Sequence, residues 1–419
     1  MRLLQVDTVK EARGKMKEHF EGTSWRSLEI PLHKSVGRYL AQDIVSRENL
    51  PGFSRSVVDG YAVHARETVG VGETSPLFLQ VAGEVEMGTP WTRPLEESTA
   101  VYVPTGGMVP PGADGVVMVE HTEMLDEKTL AVHRPVAVNQ GIMGASEDLE
   151  EGALVFAKGH RFRSVDVGVL AALGLMMVPV FDQPVVSVIS TGDEIISIIE
   201  KPTVGKVRDV NSFALSALVQ ETGCMVGGVY LIGDNQEKLE ETLKEALSRS
   251  DVVLISGGSS QGTKDYTAQV VDSLGKPGVI THGLALKPGK PTILGVVEDA
   301  QCACCNRKTL VAGLPGHPVA AMGVYHLVIE PFLQETYFQN QEQPLRIKGI
   351  LGENLAAGEG RETVVTVELE DTPEGTRVIP VHGKSGMVSQ LLQGVGYLVI
   401  PESREGLKQG TKVEVTLFK

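Results

Sequence analysis

The stretch from Asp251 to Thr267, DVVLISGGSSQGTKDYT, combines an apolar run, a glycine-rich turn and an adjacent lysine and acid, Lys264 and Asp265. Residues of these types in this order suit a phosphate and a metal ion. Val252, Val253, Leu254 and Ile255 would form a buried strand that delivers the chain to Ser256, Gly257 and Gly258, where glycines let backbone N–H groups approach an anion closely. A helix beginning at Thr263 or Lys264 would turn its positive end toward the same point. Asp265 could hold Mg²⁺ against the phosphates, because hard oxygen ligands suit that ion. A strand-to-helix turn whose glycines serve only tight packing would read the same way, and this segment alone does not separate the two.

The elements that must position such a site lie between residues 184 and 337. Val185–Ser190 reads as a strand ending in Thr191-Gly-Asp-Glu194. Asn211 is placed to cap an amphipathic helix running to Glu221, and Met225–Ile232 reads as a second strand. Gln236–Ser248 follows as a helix with Leu239, Leu243 and Leu247 on one face, and Asp251–Ile255 is the third strand. Alternation of this kind makes a doubly wound, mostly parallel sheet with helices on both faces. The loops Thr191–Glu194, Gly233–Asn235 and Ser256–Asp265 all follow strands, so they gather at the carboxyl edge where open α/β sheets bind ligands. Glu194, Asp234 and Asp265 would then offer acids for a metal, and Lys287 and Lys290 of Leu286-Lys-Pro-Gly-Lys-Pro291 would offer cations for phosphates. Each acid taken singly could be a helix cap, and each lysine a solvated surface charge.

The flanking sequence has a different texture. A helix is expected from Thr8 to Phe20, followed by β-rich, turn-rich sequence at Leu77–Gly83, Ala100–Val103 and Gly115–Val119. After Gln343, short alternating strands at Glu362–Glu368, Arg377–Pro380, Tyr397–Ile400 and Lys412–Leu417 suggest a small β-barrel or sandwich. A length of 419 residues, with 42% hydrophobic and 22% charged, is that of a globular chain of several domains. The net charge of −15 argues against nucleic acid and acidic membrane as partners, so an anionic ligand needs a local cluster of cations or a metal. No apolar run approaches a membrane span, and the opening MRLLQVDTVKEARGK has no secretory apolar region, so a cytoplasmic protein is expected. Three of the four cysteines, Cys302, Cys304 and Cys305, fall between two strand-like runs, which favours a hairpin loop over a zinc site or redox sensor.

Seven segments in order carry a resemblance over nearly the whole length. They are Pro51–Ala62 (PGFSRSVVDGYA); Pro104–Gly107 with Pro111–Val117; Ser190–Glu194 (STGDE); Ser256–Gly258 through Asp265 and Tyr266; Lys287–Pro291 (KPGKP); Gly313–Gly316 (GLPG) with Pro318 and Val319; and Gly383–Gly386 (GKSG). With these the chain resembles the molybdopterin molybdenumtransferases, the MoeA family that includes the gephyrin E domain. The resemblance implies a four-part, α/β and β multidomain fold. Residues 1–47 and 145–183 would form an N-terminal linker and dimerisation domain, 48–144 an inserted β-rich domain, 184–337 a molybdopterin-binding α/β domain, and 338–419 a C-terminal β-barrel.

It implies an enzyme that takes adenylylated molybdopterin and, with a divalent cation such as Mg²⁺, exchanges AMP for molybdate. Carried onto this chain, the site would comprise Asp59, acting across a homodimer, with Glu194, Asp234 and Asp265 as the metal-holding acids. The ligand-binding set would be Thr105, Ser256, Gly257, Gly258, Lys264, Lys287, Lys290, Pro315, Pro318, Arg361 and Ser385. Small-molecule pterin and oxyanion would be the substrates, and molybdoenzymes or their chaperones the recipients of the product.

The chain also departs from the family pattern. Where the family carries Asn-x-Arg-x-x-Gly-Glu-Asp, this chain reads Gly141-Ile-Met143-Gly-Ala-Ser146-Glu-Asp148, so a cation and a glycine are missing. Ser259 stands in the glycine turn where the family has valine, Thr263 where an acid is common, and His317 where asparagine is usual. Loss of the arginine at Met143 would raise the oxyanion concentration needed for activity, unless another cation, Arg134 or Arg55, has taken over. A tungstate-preferring or adenylylating relative and a non-catalytic pterin- or partner-binding scaffold are the alternatives.

Overall fold

The structure is a computed structural model that describes residues 6–23, 25–257, 263–298, 307–340 and 343–418, with the side chains of residues 263–265 outside the description. Two compact units emerge. The first comprises residues up to Gln42, Lys158–Val167 and Met176 onward; the second comprises Asp43–Ala157 and Gly168–Leu175.

The first unit is built on a six-stranded sheet in the order Met225–Ile232, Val185–Thr191, Val252–Gly257, Lys308–Leu314, Ile293–Glu298, Pro277–His282. The first four strands are parallel. The last two join antiparallel, because Ile293–Glu298 and Lys308–Leu314 pair as a hairpin from Glu298↔Lys308 to Ile293↔Gly313. The hairpin expected around Cys302, Cys304 and Cys305 is therefore present, while those cysteines lie outside the described residues.

Period-two alternation sends the strand side chains to opposite faces. Val186, Val188, Val252, Leu254, Leu310 and Ala312 pack with Leu215, Leu218 and Val219 of the Asn211–Glu221 helix. Ile189, Val253, Ile255 and Val311 pack with Leu239, Leu243 and Ala246 of the Gln236–Arg249 helix and with Val270 and Val271 of the Thr263–Leu274 helix. The sheet is thus covered on both faces, as its near-continuous apolar strands require.

The N-terminal helix Val9–Phe20 opens on a capping box, in which the Thr8 hydroxyl accepts from the Glu11 N–H and the Glu11 carboxylate accepts from the Thr8 N–H. It buries Val9, Ala12, Met16 and Phe20 in the same core as the sheet. At the other end of the chain, Glu362–Thr372, Gly375–Pro380, Arg346–Leu351, Lys412–Leu417 and Gly396–Ile400 pair in a ring, and the pairing of the last with the first closes a five-stranded barrel. Closure removes the exposed edges that short strands would leave.

The second unit carries a six-stranded sheet of its own, in the order Gly115–Met118, Gly60–Val63, Thr99–Val103, Leu77–Glu84, Thr129–Val132, Thr122–Met124. Two-stranded ribbons accompany it, one of them pairing Arg55–Ser56 with Ile142–Met143. Among the described residues no helix is long and apolar enough to cross a membrane.

Candidate functional site

The parallel strands Met225–Ile232, Val185–Thr191, Val252–Gly257 and Lys308–Leu314 all end at one edge, where the expected loops Thr191–Glu194 and Gly233–Asn235 lie with Ser256 and Gly257. At its acidic end, Asp193 Oδ1 accepts from the Asp234 N–H at 3.0 Å. Gly233 runs so close that a Cβ there would stand 2.8 Å from Asp193 Oδ1, and the Glu194 side chain folds back over Gly192. The Asp234 carboxyl is held above its ordinary range, first by partial desolvation and then by the charges of Asp193 and Glu194. Asp193 was not among the expected site residues, although it lies inside the Ser190–Glu194 segment; its proximity to Asp234 arises from the pairing of two strands that are 40 residues apart in sequence order and is not visible in spacing alone. Among the described residues no three acids, histidines or cysteines stand close enough together to hold a metal ion. The side chains of Lys264 and Asp265, and Gly258 altogether, lie outside the description, while the helix expected to follow them does begin at Thr263.

In the middle of the edge, Gly257 adopts φ +145° and approaches the neighbouring strand so closely that a Cβ would stand 1.9 Å from the Thr191 carbonyl oxygen. Its glycine is required by strand packing. Asn211 corrects a sequence-based expectation: it does not cap the Asn211–Glu221 helix but forms its first residue, and Val210 before it makes no side-chain cap. Asp209 provides the cap, accepting from the Ser212 N–H at 3.1 Å and from the Ser190 hydroxyl at 3.0 Å. The Asn211 amide instead donates to Ser256 Oγ at 2.7 Å and to the Gly316 carbonyl at 2.8 Å. It therefore ties the glycine turn to the Gly313–Gly316 loop, while its own Oδ1 is buried without a hydrogen-bond partner among the described residues.

Beyond Gly316, the Pro318–Val324 helix meets the Gly383–Gly386 loop. His317 Nδ1 and Ser385 Oγ are 2.8 Å apart, and the Val319 N–H donates to the Ser385 carbonyl at 3.2 Å. His317 and Val319 thus tie the start of this helix to Ser385. Lys287 is positioned by a short strand, Leu286–Lys287, that pairs in parallel with Glu362–Thr363 of the barrel. The Lys287 stem lies against Gly358, whose carbonyl accepts from the Arg361 N–H, so Lys287 and Arg361 belong to one corner. Gly289, at φ +136°, packs against Leu286 and Val324, which sets the Lys287–Lys290 turn beside the helix that begins at Pro318. Lys290 is exposed, with its backbone carbonyl accepting from Leu284 and Thr292. Pro315 is buried at the end of the Lys308–Leu314 strand.

Within the second unit, Asp59 Oδ1 accepts from the Thr105 N–H at 2.8 Å, bringing two of the expected residues together. Arg55, four residues before Asp59, stands directly across from Met143 in the ribbon and reaches the Met143 sulfur with Nη2 at 3.3 Å. Gly141, at φ +78°, lies where a Cβ would be 2.8 Å from the Val116 carbonyl oxygen, so the departure there follows a tight backbone approach.

A doubly wound α/β domain with acids at one end of its carboxyl edge and lysines at the other, followed by a closed barrel, has the architecture of a ligand-binding α/β protein. Residues 7–174 match the MoeA N-terminal region (domains I and II), 187–335 the probable molybdopterin-binding domain, and 348–418 the MoeA C-terminal region (domain IV). The chain belongs to the MoeA family. It is 32% identical to a putative molybdopterin biosynthesis protein of Methanocaldococcus jannaschii, over 93% of this chain and 92% of that one. It is 29% identical to the molybdopterin molybdenumtransferase of Haemophilus influenzae, over 98% of each. A crystal structure of a molybdopterin biosynthesis MoeA protein from Pyrococcus horikoshii superposes with a TM-score of 0.79 at 30% identity, covering 99% of this chain and 100% of that one.

Proposed function

We propose that the protein is a transferase of molybdenum cofactor biosynthesis that takes adenylylated molybdopterin, releases AMP and inserts molybdate. One observation carries this reading. Asp193, Glu194 and Asp234 crowd at the same sheet edge on which Asn211 joins Ser256 to the Gly313–Gly316 loop, so acids for a cation lie along the row of loops that would cradle a phosphorylated ligand.

Release of AMP breaks a phosphoanhydride, and the demand on the protein is charge neutralisation and positioning rather than covalent chemistry. Glu194, Asp234 and Asp265 would hold Mg²⁺, with Asp193 beside them, since carboxylate oxygens suit that hard cation. Such a cation supplies charge neutralisation at the leaving phosphate. Lys287, Lys290 and Arg361 supply fixed positive charge to the ligand's phosphates, and Ser256 and Ser385 supply hydroxyls whose orientation Asn211 and His317 set. Asp59, joined to the Thr105 N–H, would complete the site from the other subunit of a homodimer.

The test is AMP release by the purified protein mixed with adenylylated pterin, Mg²⁺ and either molybdate or tungstate. Oxyanion-dependent AMP release supports the transferase, and a stronger response to tungstate assigns that metal. Pterin binding without AMP release under either anion would leave a scaffold and defeat the reading.

A further inference from the structure

We propose that the groove between the Val9–Phe20 helix, the helical stretch around His326 and the C-terminal barrel binds a small organic anion carried on an aromatic ring. The groove is lined by residues of the first unit and has a volume of about 1090 Å³, room for a ligand of that kind. It lies at the amino edge of the α/β sheet. There the Tyr337 hydroxyl donates to the Asp251 carbonyl, just before the strand Val252–Gly257, and Lys308, at the start of its own strand, donates to the His19 carbonyl beside Phe20. The inference is therefore separate from the transferase reading, whose loops gather at the opposite edge.

Pro331 has no N–H for the Leu327 carbonyl, and the chain passes from the Pro318–Val324 helix to the Glu330–Tyr337 helix through one π turn, Tyr325–Ile329, which carries His326. His326 Nδ1 donates to Glu330 Oε2 at 2.9 Å, and Gln334 Nε2 donates to Glu330 Oε1 at 3.2 Å, so the acid holds the imidazole by one nitrogen. The other nitrogen, Nε2, is buried without a hydrogen-bond partner among the described residues, in a side chain 9% exposed. An unpaired buried polar atom destabilises, and a ligand group placed against it removes that penalty. The imidazole stacks on Tyr397 with centroids 5.8 Å apart, and the partly exposed Phe418 lies over it at 5.2 Å. Phe418 is the side chain that shifts to admit a ligand.

The charge of the groove selects an anion. In a chain of net charge −15, four cations, Arg13, Lys17, Arg161 and Arg346, line it against three acids among the described residues, and two of those acids, Glu330 and Glu335, already bond to His326 and Arg13. The Arg13–Glu335 and Arg346–Glu414 pairs are exposed, so they contribute little and can exchange a partner for a ligand. Both guanidiniums stand beside the aromatic floor: the Tyr397 hydroxyl is pushed up to about 12 by burial and Glu330, against the opposing pull of Arg346 and Arg13. With an anion at Nε2 the imidazole carries both of its protons, donating to Glu330 on one side and to the anion on the other, while a guanidinium takes the remaining anion oxygens. The ligand's flat ring packs on Tyr397 and Phe418.

The deciding measurement is calorimetric titration of the full-length protein with phenyl phosphate and with benzoate, beside inorganic phosphate, which lacks the ring, and benzyl alcohol, which lacks the charge. Both aromatic anions should bind, and the two controls should bind at least about tenfold more weakly. Arg346→Gln should raise the Kd for both aromatic anions by about tenfold or more, the scale of one lost charge-assisted contact. His326→Phe, which keeps a stacked ring but no nitrogen, should do the same. Lys290→Gln, at the opposite edge, should leave both values unchanged. Thermal unfolding checks that each variant folds, and the exposed Arg346 carries the test alone if loss of His326 leaves Glu330 too poorly paired to fold. The proposal is overturned if neither aromatic anion binds, if inorganic phosphate or benzyl alcohol binds as tightly, if either groove variant, once shown to be folded, binds both anions as before, or if Lys290→Gln is the weakened variant. The readout is binding alone, so failure to release AMP would defeat the transferase reading and leave this site standing.

Discussion

Both N–H donors of the Asn211 amide are committed, to Ser256 Oγ and the Gly316 carbonyl, and the group is buried to 7% exposure. Replacing it with alanine removes the donor for two loops at once. Asn211→Ala should lower stability by about 2–3 kcal/mol, the scale of two buried neutral hydrogen bonds lost without replacement. It should also raise the KM for adenylylated pterin more than it lowers kcat, because the loops move while the acids stay. Equal KM in the variant and the parent would reduce Asn211 to a structural residue. Lys290 tests the opposite end of the edge. Its side chain is exposed, and the chain as a whole repels anions, so Lys290→Gln should weaken adenylylated-pterin binding by about 1–3 kcal/mol, as for a charged hydrogen bond. Unchanged affinity at low salt would place the phosphates elsewhere.

Elements show where sequence suffices and where it does not. The helix entering at Arg163 is held by Asp166, which is 2% exposed in its side chain and accepts from the Arg163 N–H, the Arg163 guanidinium and His160 Nε2, each at 2.8 Å. Burial alone would raise this carboxyl, but the Arg163 and His160 contacts outweigh it and bring it from 3.8 to about 2. A carboxyl depressed in the folded state stabilises fully above its unfolded value and ceases to do so as pH falls through the folded one. Asp166 should therefore contribute about 2 kcal/mol above pH about 4 that disappears on the way down to about pH 2. The stability gap between the parent and Asp166→Asn should shrink across that window, and parallel acid-denaturation curves would rule the contribution out. Nothing in spacing announced this cluster, because the fold brings His160 and Arg163 onto the Asp166 carboxylate in the first turn of the helix. By contrast, the strands Val185–Thr191, Met225–Ile232 and Val252–Gly257 were legible from apolar runs bounded by turn residues, and so was the edge where they end. The reason for Gly257 was legible only in part. A glycine turn is visible in sequence, whereas its 1.9 Å approach to the Thr191 carbonyl depends on which strand lies beside it. Asn211 was misread for a related cause: a polar residue at a helix start looks like a cap, and its true partners are 45 and 105 residues away.

At the scale of the whole molecule, Asp59 and Thr105 lie in the second unit, and Glu194, Asp234, Lys287 and Lys290 in the first. The family resemblance implies a homodimer in which Asp59 of one subunit serves the α/β domain of the other. Complementation separates the arrangements. Asp59→Ala and Asp265→Ala should each abolish AMP release while leaving the fold intact. If the two residues act in the same subunit, no mixture of the variants contains a complete site. If they act across a twofold dimer, half of the randomly exchanged dimers are mixed, and each mixed dimer has one complete site of two, so activity should return to about a quarter of the parent's. Recovery should follow the rate of subunit exchange, measured on differently tagged chains, and should vanish when the variants are mixed without exchange. Exchange verified to completion with no AMP released would place Asp59 outside the partner's site and remove the trans arrangement, while leaving the assignment of Asp265 to be judged on its single variant.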